Sequence, residues 1–159
     1  MPASDKMYRY AFSIVKDSHT ASDVVQECLM KIWDKRKMLP DIKSPDSWAM
    51  RIVRNQCYDW VKMNRYTLLG DKEINTAASE RTDDTTLLND QQNWLDLVLA
   101  SLPEKHQEIF HLREVEGLAY QEIAEILGLG LSEVKVNLHR TRAKIRESFL
   151  KLENYGVAN

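Results

Sequence analysis

The sequence predicts an all-α chain of two small helical modules joined by a flexible acidic linker. Three observations carry that reading. Apolar residues recur at the helical period almost throughout, and the strict alternation of a strand is nearly absent. The stretch from Tyr66 to about Thr86, "YTLLGDKEINTAASERTDDTT", is polar, acidic and without period, which marks a linker. Further on, two helical stretches are separated by "GLG" at 128–130, the spacing of a tight turn between paired helices. The expected boundaries are 1–65 for the first module, 66–86 for the linker, 87–152 for the second module and 153–159 for a tail. Each module has ~65 residues, small but sufficient for a helical core.

The elements follow in order. Met7, Ala11, Ile14 and Val15 suggest a first short helix. Ala21, Val25, Cys28, Leu29, Ile32 and Trp33 share helical spacing and mark a second. In "LPDIKSPDSW", Pro40 and Pro45 bracket a loop, with Ser44 as N-cap and Pro45 at the first position of the next helix. That third helix runs to about Lys62, with Ala49, Ile52, Val53, Cys57 and Trp60 inward. Leu88, Gln91, Leu95, Val98 and Leu102 open the second module. "SLPE" then offers a capping box of Ser101 with Glu104. Ile109, Phe110 and Leu112 are the apolar positions of the following helix, which Gly117 stops. Gln121 to Leu127 forms a short helix whose Ile123, Ala124 and Leu127 face a longer one beginning near Leu131.

Composition narrows the class. Hydrophobic content of 43% and charged content of 29% describe a soluble globular protein. No apolar run approaches the roughly 20 residues that span a bilayer, no secretory signal is visible, and a cytoplasmic location with no membrane insertion is expected. Cys28 and Cys57, the only cysteines, read as reduced, buried thiols. His19, His106, His111 and His139 are scattered, and no HExxH, P-loop, CxxC or Ser/His/Asp pattern appears, so neither an active site nor a metal or cofactor is expected.

The formal net charge of −2 conceals a segregation. Residues 1–66 hold twelve Lys/Arg against eight Asp/Glu, and residues 131–159 hold six against three. Between them, 67–96 hold two against seven and 97–130 two against six. Two basic surfaces are thus separated by acidic material, and an approaching anion feels the local field. On the last helix Val134, Leu138, Thr141, Ile145 and Phe149 share an apolar arc, and Lys135, Val136, His139, Arg140 and Ala143 lie opposite. This is a helix-turn-helix, whose second helix enters a major groove with its N-terminal turns at base edges. Arg140 suits a bidentate bond to guanine, and Val136 and Ala143 suit a thymine methyl. Arg142, Arg146 and Lys144 flank the arc and suit phosphates. The plainer alternative is a solvated basic helix docked on an acidic neighbour.

In "WAMRIVRNQCYDWVKMNR", residues 48–65, Arg51, Arg54, Tyr58, Lys62 and Arg65 fall on one stripe bordered by Asn55 and Asp59. Cations interleaved with an aromatic ring suit a nucleic-acid strand; a solvated face with a snorkelling tyrosine fits the pattern equally well.

"TASDVVQECLMKIWDKR", "SWAMRIVRNQCYDWVK" and "LPEKHQEIFHLREVEGLAYQEIAEILGLGLSEVKVNLHRTRAKIRE" together resemble the extracytoplasmic-function (ECF) group of the bacterial sigma-70 family, in the right order and over nearly the whole chain. The resemblance implies a sigma factor that binds core RNA polymerase, at its clamp helices and flap, and recognises promoter DNA. The first module would be region two and the second region four. Asp23, Gln26 and Glu27 match the positions that contact core polymerase. Arg51, Asn55 and Asp59, with Arg54, Tyr58 and Lys62 on the same stripe, correspond to the face that reads and opens the minus-ten element. "LPDIKS" corresponds to a segment that helps capture a flipped-out base. Lys135, Val136, His139 and Arg140 match the minus-thirty-five recognition positions. An anti-sigma factor is a further implied partner. The family's common "GTVKSR" stands here as "SEVKVN", which puts Glu133 where it would repel a phosphate and Asn137 in place of an arginine. The family's helix ahead of "MYRYAFSIVKD" is expected to be largely missing. A helix-turn-helix regulator acting without polymerase is the alternative; it leaves the "DVVQE" helix and the Arg51–Arg65 stripe without a task.

Overall fold

The computed structural model describes residues 2–70 and 86–157, with side chains described for 3–65 and 93–154. Every regular element among the described residues is helical. The chain separates into two compact units, one built of the first three helices and the other of most of the last four.

In the first unit, α1 (Pro2–Val15), α2 (Ser18–Asp34) and α3 (Pro45–Gly70) pack against one another. α1 begins on a proline, which suits a first helical turn because no amide hydrogen bond is lost there. Its Met7, Tyr10, Ala11 and Val15 are buried at helical spacing. It ends at Lys16, whose φ of 61° is the left-handed region and whose amide bonds to the Phe12 carbonyl at 2.9 Å. Ala21, Val24, Val25 and Cys28 of α2 complete the core with Met50, Val53 and Cys57 of α3. Both cysteines are buried thiols, and burial pushes the Cys28 thiol up to about 11.

Asp17 caps α2. Its Oδ2 accepts from the Thr20 amide at 2.9 Å and from the Thr20 hydroxyl, and these bonds, the hydroxyl's first, hold its carboxyl below the ordinary 3.8. A depressed carboxyl adds stability above its unfolded value, and that contribution disappears as pH falls through the folded value. Asp17→Asn keeps the cap without the titration. Urea melts at pH 7 and pH 3 should therefore show a smaller acid loss for Asp17→Asn than for the wild type. Equal acid losses would remove Asp17 from the account.

Two details differ from the sequence expectation. Arg36–Asp41, with Pro40 inside it, is a 3-10 turn rather than an open loop, closed by Met38 N to Lys35 O at 2.9 Å and Ile42 N to Leu39 O at 3.1 Å. α3 also runs beyond Lys62 to Gly70, taking residues 66–70 into helix; the remainder of the expected linker, 71–85, lies outside the described residues. The Ser44 cap forms as expected: its Oγ accepts from the Ser47 amide at 3.4 Å and donates to the Ser47 hydroxyl at 2.9 Å.

The second unit holds α4 (Thr86–Ala100), α5 (Glu104–Phe110), α7 (Leu131–Val157) and, of α6 (Tyr120–Leu127), residues 120–124. The side chains of Leu88 and Gln91 lie outside the described residues; Leu95, Val98 and Leu102 are half-buried. The capping box does not form. Ser101 Oγ donates back to the Val98 carbonyl at 2.6 Å, and Pro103 occupies the cap position of α5. α5 continues into a π-helical turn, His111–Val115, where the Glu116 amide reaches the His111 carbonyl at 3.1 Å. Gly117, at φ +69°, then turns the chain, a conformation that costs glycine nothing.

Ile109, Leu112, Leu118, Ile123, Ala124, Ile126, Val134, Leu138 and Thr141 are buried. α7 packs chiefly on α5 and next on α4, where Phe149 meets Trp94 edge-on at 5.7 Å. Asn137 is buried rather than facing out, and its carbonyl accepts the Thr141 hydroxyl at 2.8 Å. The helix continues through the expected tail to Val157.

Candidate nucleic-acid interface

The connection between α6 and α7 is built from two glycines. Gly128 takes φ +65°, and the Leu129 amide bonds to the Ala124 carbonyl at 3.0 Å, which closes α6. α7 then opens with the Val134 amide on the Gly130 carbonyl at 3.1 Å. At the start of α6 the Glu122 carboxylate accepts the Ala119 amide at 2.9 Å, half of a capping box.

Because Val134, Leu138 and Thr141 are drawn inward, the 100° step of the helix turns Lys135, Val136, His139, Arg140 and Ala143 outward, and all five are exposed. Val136 holds an apolar side chain in water at 47% exposure, which suits a surface that meets a methyl group. Lys144 and Arg146 are exposed too.

Several bases in this unit are already engaged, among them Lys151, which pairs with Glu147 at 3.2 Å. Lys105 Nζ of α5 lies 2.9 Å from Glu133 Oε1, so the acid that departs from the family pattern carries its own counter-charge. Arg142 donates through Nε at 2.8 Å, and through Nη2, to one Glu114 oxygen. That bond, seconded by the Tyr120 hydroxyl, raises the guanidinium above its ordinary value. Arg113 Nη1 donates to the Leu118 carbonyl at 2.8 Å and stacks over the Tyr120 ring at 4.5 Å, with Lys135 Nζ 5.9 Å from the same ring. The charges of Lys135 and Arg140 remain available at the surface.

The first unit presents a second cationic face. Arg51, Asn55, Asp59, Lys62 and Arg65 are exposed along α3, while Arg54 and Tyr58 are half-buried, the guanidinium 4.8 Å from the ring centroid.

On α2, Asp23, Gln26 and Glu27 are exposed; Asp23 pairs with His19 at 3.5 Å. Glu27 accepts from Gln56 Nε2 of α3 at 2.7 Å, and Lys31 donates to the Oε1 of the same amide. The sequence reading placed Leu29 and Trp33 in the apolar periodicity of α2, and they are 42% and 65% exposed, beside Met30 at 69%. They stand about 80° and 120° from Ala21 around the helix, at the rim of an apolar arc too wide for its two neighbours to cover. Arg36 stacks on Trp33 at 4.4 Å and donates to its carbonyl at 2.9 Å, which steadies the indole in solvent. The excess width of that arc was the available signal. Among the described residues no helix is long and apolar enough to cross a membrane, and no acid–histidine–cysteine group has metal-site geometry.

A helix-turn-helix with an exposed basic face stands in one unit, and the other unit carries a cationic stripe of its own. Residues 3–66 match the family described as Sigma-70 region 2, and residues 92–145 that described as Sigma-70, region 4. The RNA polymerase sigma factor SigV of Bacillus subtilis is 30% identical over 144 residues, covering 91% of this chain and 84% of SigV. The probable RNA polymerase sigma factor RfaY of Xanthomonas campestris is 26% identical over 89% of this chain, which spans only 37% of that relative's length. The solved structure of the sigma factor RpoE with the anti-sigma factor NepR, from Bartonella quintana, superposes with a TM-score of 0.75 at 23% identity, over 92% of this chain and 91% of that one. Other relatives are named ECF RNA polymerase sigma factors. The chain belongs to the ECF group of the sigma-70 family.

Proposed function

We propose that this chain, in the cytoplasm, binds core RNA polymerase and directs it to promoters. Lys135, Val136, His139 and Arg140 read the minus-thirty-five element in the major groove, with Lys144 and Arg146 on its phosphates. Arg51, Arg54, Asn55, Tyr58, Asp59 and Lys62 meet the minus-ten element as it opens. RNA synthesis belongs to the polymerase. The observation that carries the reading is the joint exposure of the four recognition residues on the N-terminal half of α7, directly after the glycine turn.

Asp23, Gln26 and Glu27 face the polymerase clamp helices, and the uncovered Leu29, Met30 and Trp33 extend that contact with apolar area; the second unit takes the flap. Large exposed aromatics beside polar positions are the usual anchors of a protein interface. The functional domains of this reading are 1–65 and 87–152, joined by 66–86, whose residues 66–70 continue α3, and followed by 153–159, whose residues 153–157 continue α7. An anti-sigma factor is the further partner, covering either the α2 face or the DNA-reading faces.

With a net charge of −2 and two separate small basic patches, the free chain neutralises few phosphates and binds DNA weakly. Polymerase makes the two contacts act together, which multiplies their effect. Run-off transcription with core polymerase, with and without the chain, tests the reading. Promoter-specific transcripts are expected only with it, and tight sequence-specific binding by the chain alone would favour a regulator independent of polymerase. Trp33→Ala should lower affinity for core polymerase by about thirtyfold while leaving the melting temperature nearly unchanged, because the indole is mostly in water already. Unaltered co-purification of that variant would take the α2 face out of the proposal.

A further inference from the structure

We infer that Arg142 is a positioning residue: with Glu114 it braces the recognition helix against the turn that precedes the helix pair, and it takes no phosphate. This rests on the DNA-reading role of α7 and reassigns one of the bases that sequence alone places on the groove wall. The geometry is specific. Arg142 directs both Nε and Nη2 at a single oxygen of Glu114, twenty-eight positions earlier in the chain. Glu114 lies in the π-helical turn, where one extra residue per turn re-aims the side chains that follow.

Arg113, its neighbour, is tied to the Leu118 carbonyl and stacked on Tyr120. The turn, the first residue of α6 and the middle of α7 are therefore joined through one small cluster. α7 leans chiefly on α5, the helix that runs into this turn, so a brace between the turn and Arg142 acts on the contact that sets the helix's own rotation. Arg142 stands seven residues after Lys135, two turns on and within about 20° around the axis. Rotation at one is therefore rotation at the other, and Lys135 borders the same Tyr120 ring. The pair is partly exposed, so its stabilising effect is small; what it supplies is angle.

The competing account is that Glu114 merely occupies a guanidinium that otherwise grips DNA. The two accounts predict opposite signs for Glu114→Gln. The experiment uses holoenzyme assembled from core polymerase and the full chain, with a duplex it selects from a randomised library and a scrambled duplex of equal length. If Arg142 braces the helix, Glu114→Gln and Arg142→Gln each weaken the selected duplex by about threefold to tenfold. The double variant is no worse than either single one, the salt slope stays at the wild-type value, and the scrambled duplex is unaffected.

Tighter binding by Glu114→Gln, or a slope reduced by about one in Arg142→Gln, overturns the inference, since a lost phosphate contact costs about 0.9 in slope and acts on every duplex alike. No change at either position overturns it too. Should Arg142→Gln fail to fold, as its melt would show, the sign for Glu114→Gln still decides. Lys144→Gln and Arg140→Ala keep the parent reading separate: if they also leave the selected duplex and its slope untouched, the DNA-reading face itself is refuted, and this inference with it.

Discussion

Arg140→Ala is expected to weaken promoter binding by the holoenzyme roughly tenfold to a hundredfold, the range for loss of one bidentate base contact. The expectation comes from three facts together. Arg140 is exposed, it lies on the arc opposite Val134, Leu138 and Thr141, and it is followed by the alanine and lysine of the same outward side. A guanidinium at that place presents a planar fork to a guanine edge, which a lysine cannot imitate. The loss should fall on one base position, so that a duplex changed at that position binds wild type and variant alike. Lys144→Gln should instead weaken every duplex to a similar extent and flatten the salt dependence. Fluorescence anisotropy with labelled duplexes distinguishes the two patterns. An Arg140→Ala holoenzyme within twofold of wild type would remove α7 from the reader.

The second large effect is on stability. Leu138 is 1% exposed on the inward arc of α7, and Leu138→Ala should cost the second unit about 2–5 kcal/mol through lost burial and the cavity left behind. A unit of ~65 residues has little to spare, so the helix-turn-helix should be largely unfolded at 37 °C. The first unit, with Tyr10, Val53 and the two buried thiols at its own core, should keep its transition. Denaturation of the variant should therefore show the transition of the second unit moved below that of the first. Trp94 reports on the second unit, and Trp33, Trp48 and Trp60 report on the first. A single unchanged transition would mean that Leu138 is not the keystone its burial implies.

Much of this protein is written in local periodicity. Val134, Leu138 and Thr141 inward and Lys135, His139 and Arg140 outward follow from a 100° step, and that step belongs to the helix before any tertiary contact exists. The paired glycines at 128 and 130, Ser44 ahead of Pro45, and the inward Val53 and Cys57 are legible for the same reason. Each depends on residues at most a few positions apart.

What the sequence could not decide lies where two distant segments meet. Leu29 and Trp33 are apolar and in phase with Ala21, yet α1 and α3 are not wide enough to cover them, so they face solvent. One local choice escaped it too: Ser101 and Glu104 have capping-box spacing, but the hydroxyl donates to the Val98 carbonyl, three residues back, and closes the preceding helix instead. Arg142 looks like a phosphate ligand until Glu114 is found beside it, and Glu133 looks repulsive until Lys105 is. Each of these pairs spans twenty-eight positions. Periodicity assigns a side chain to a face of its own helix, and only the packed fold determines what stands opposite that face.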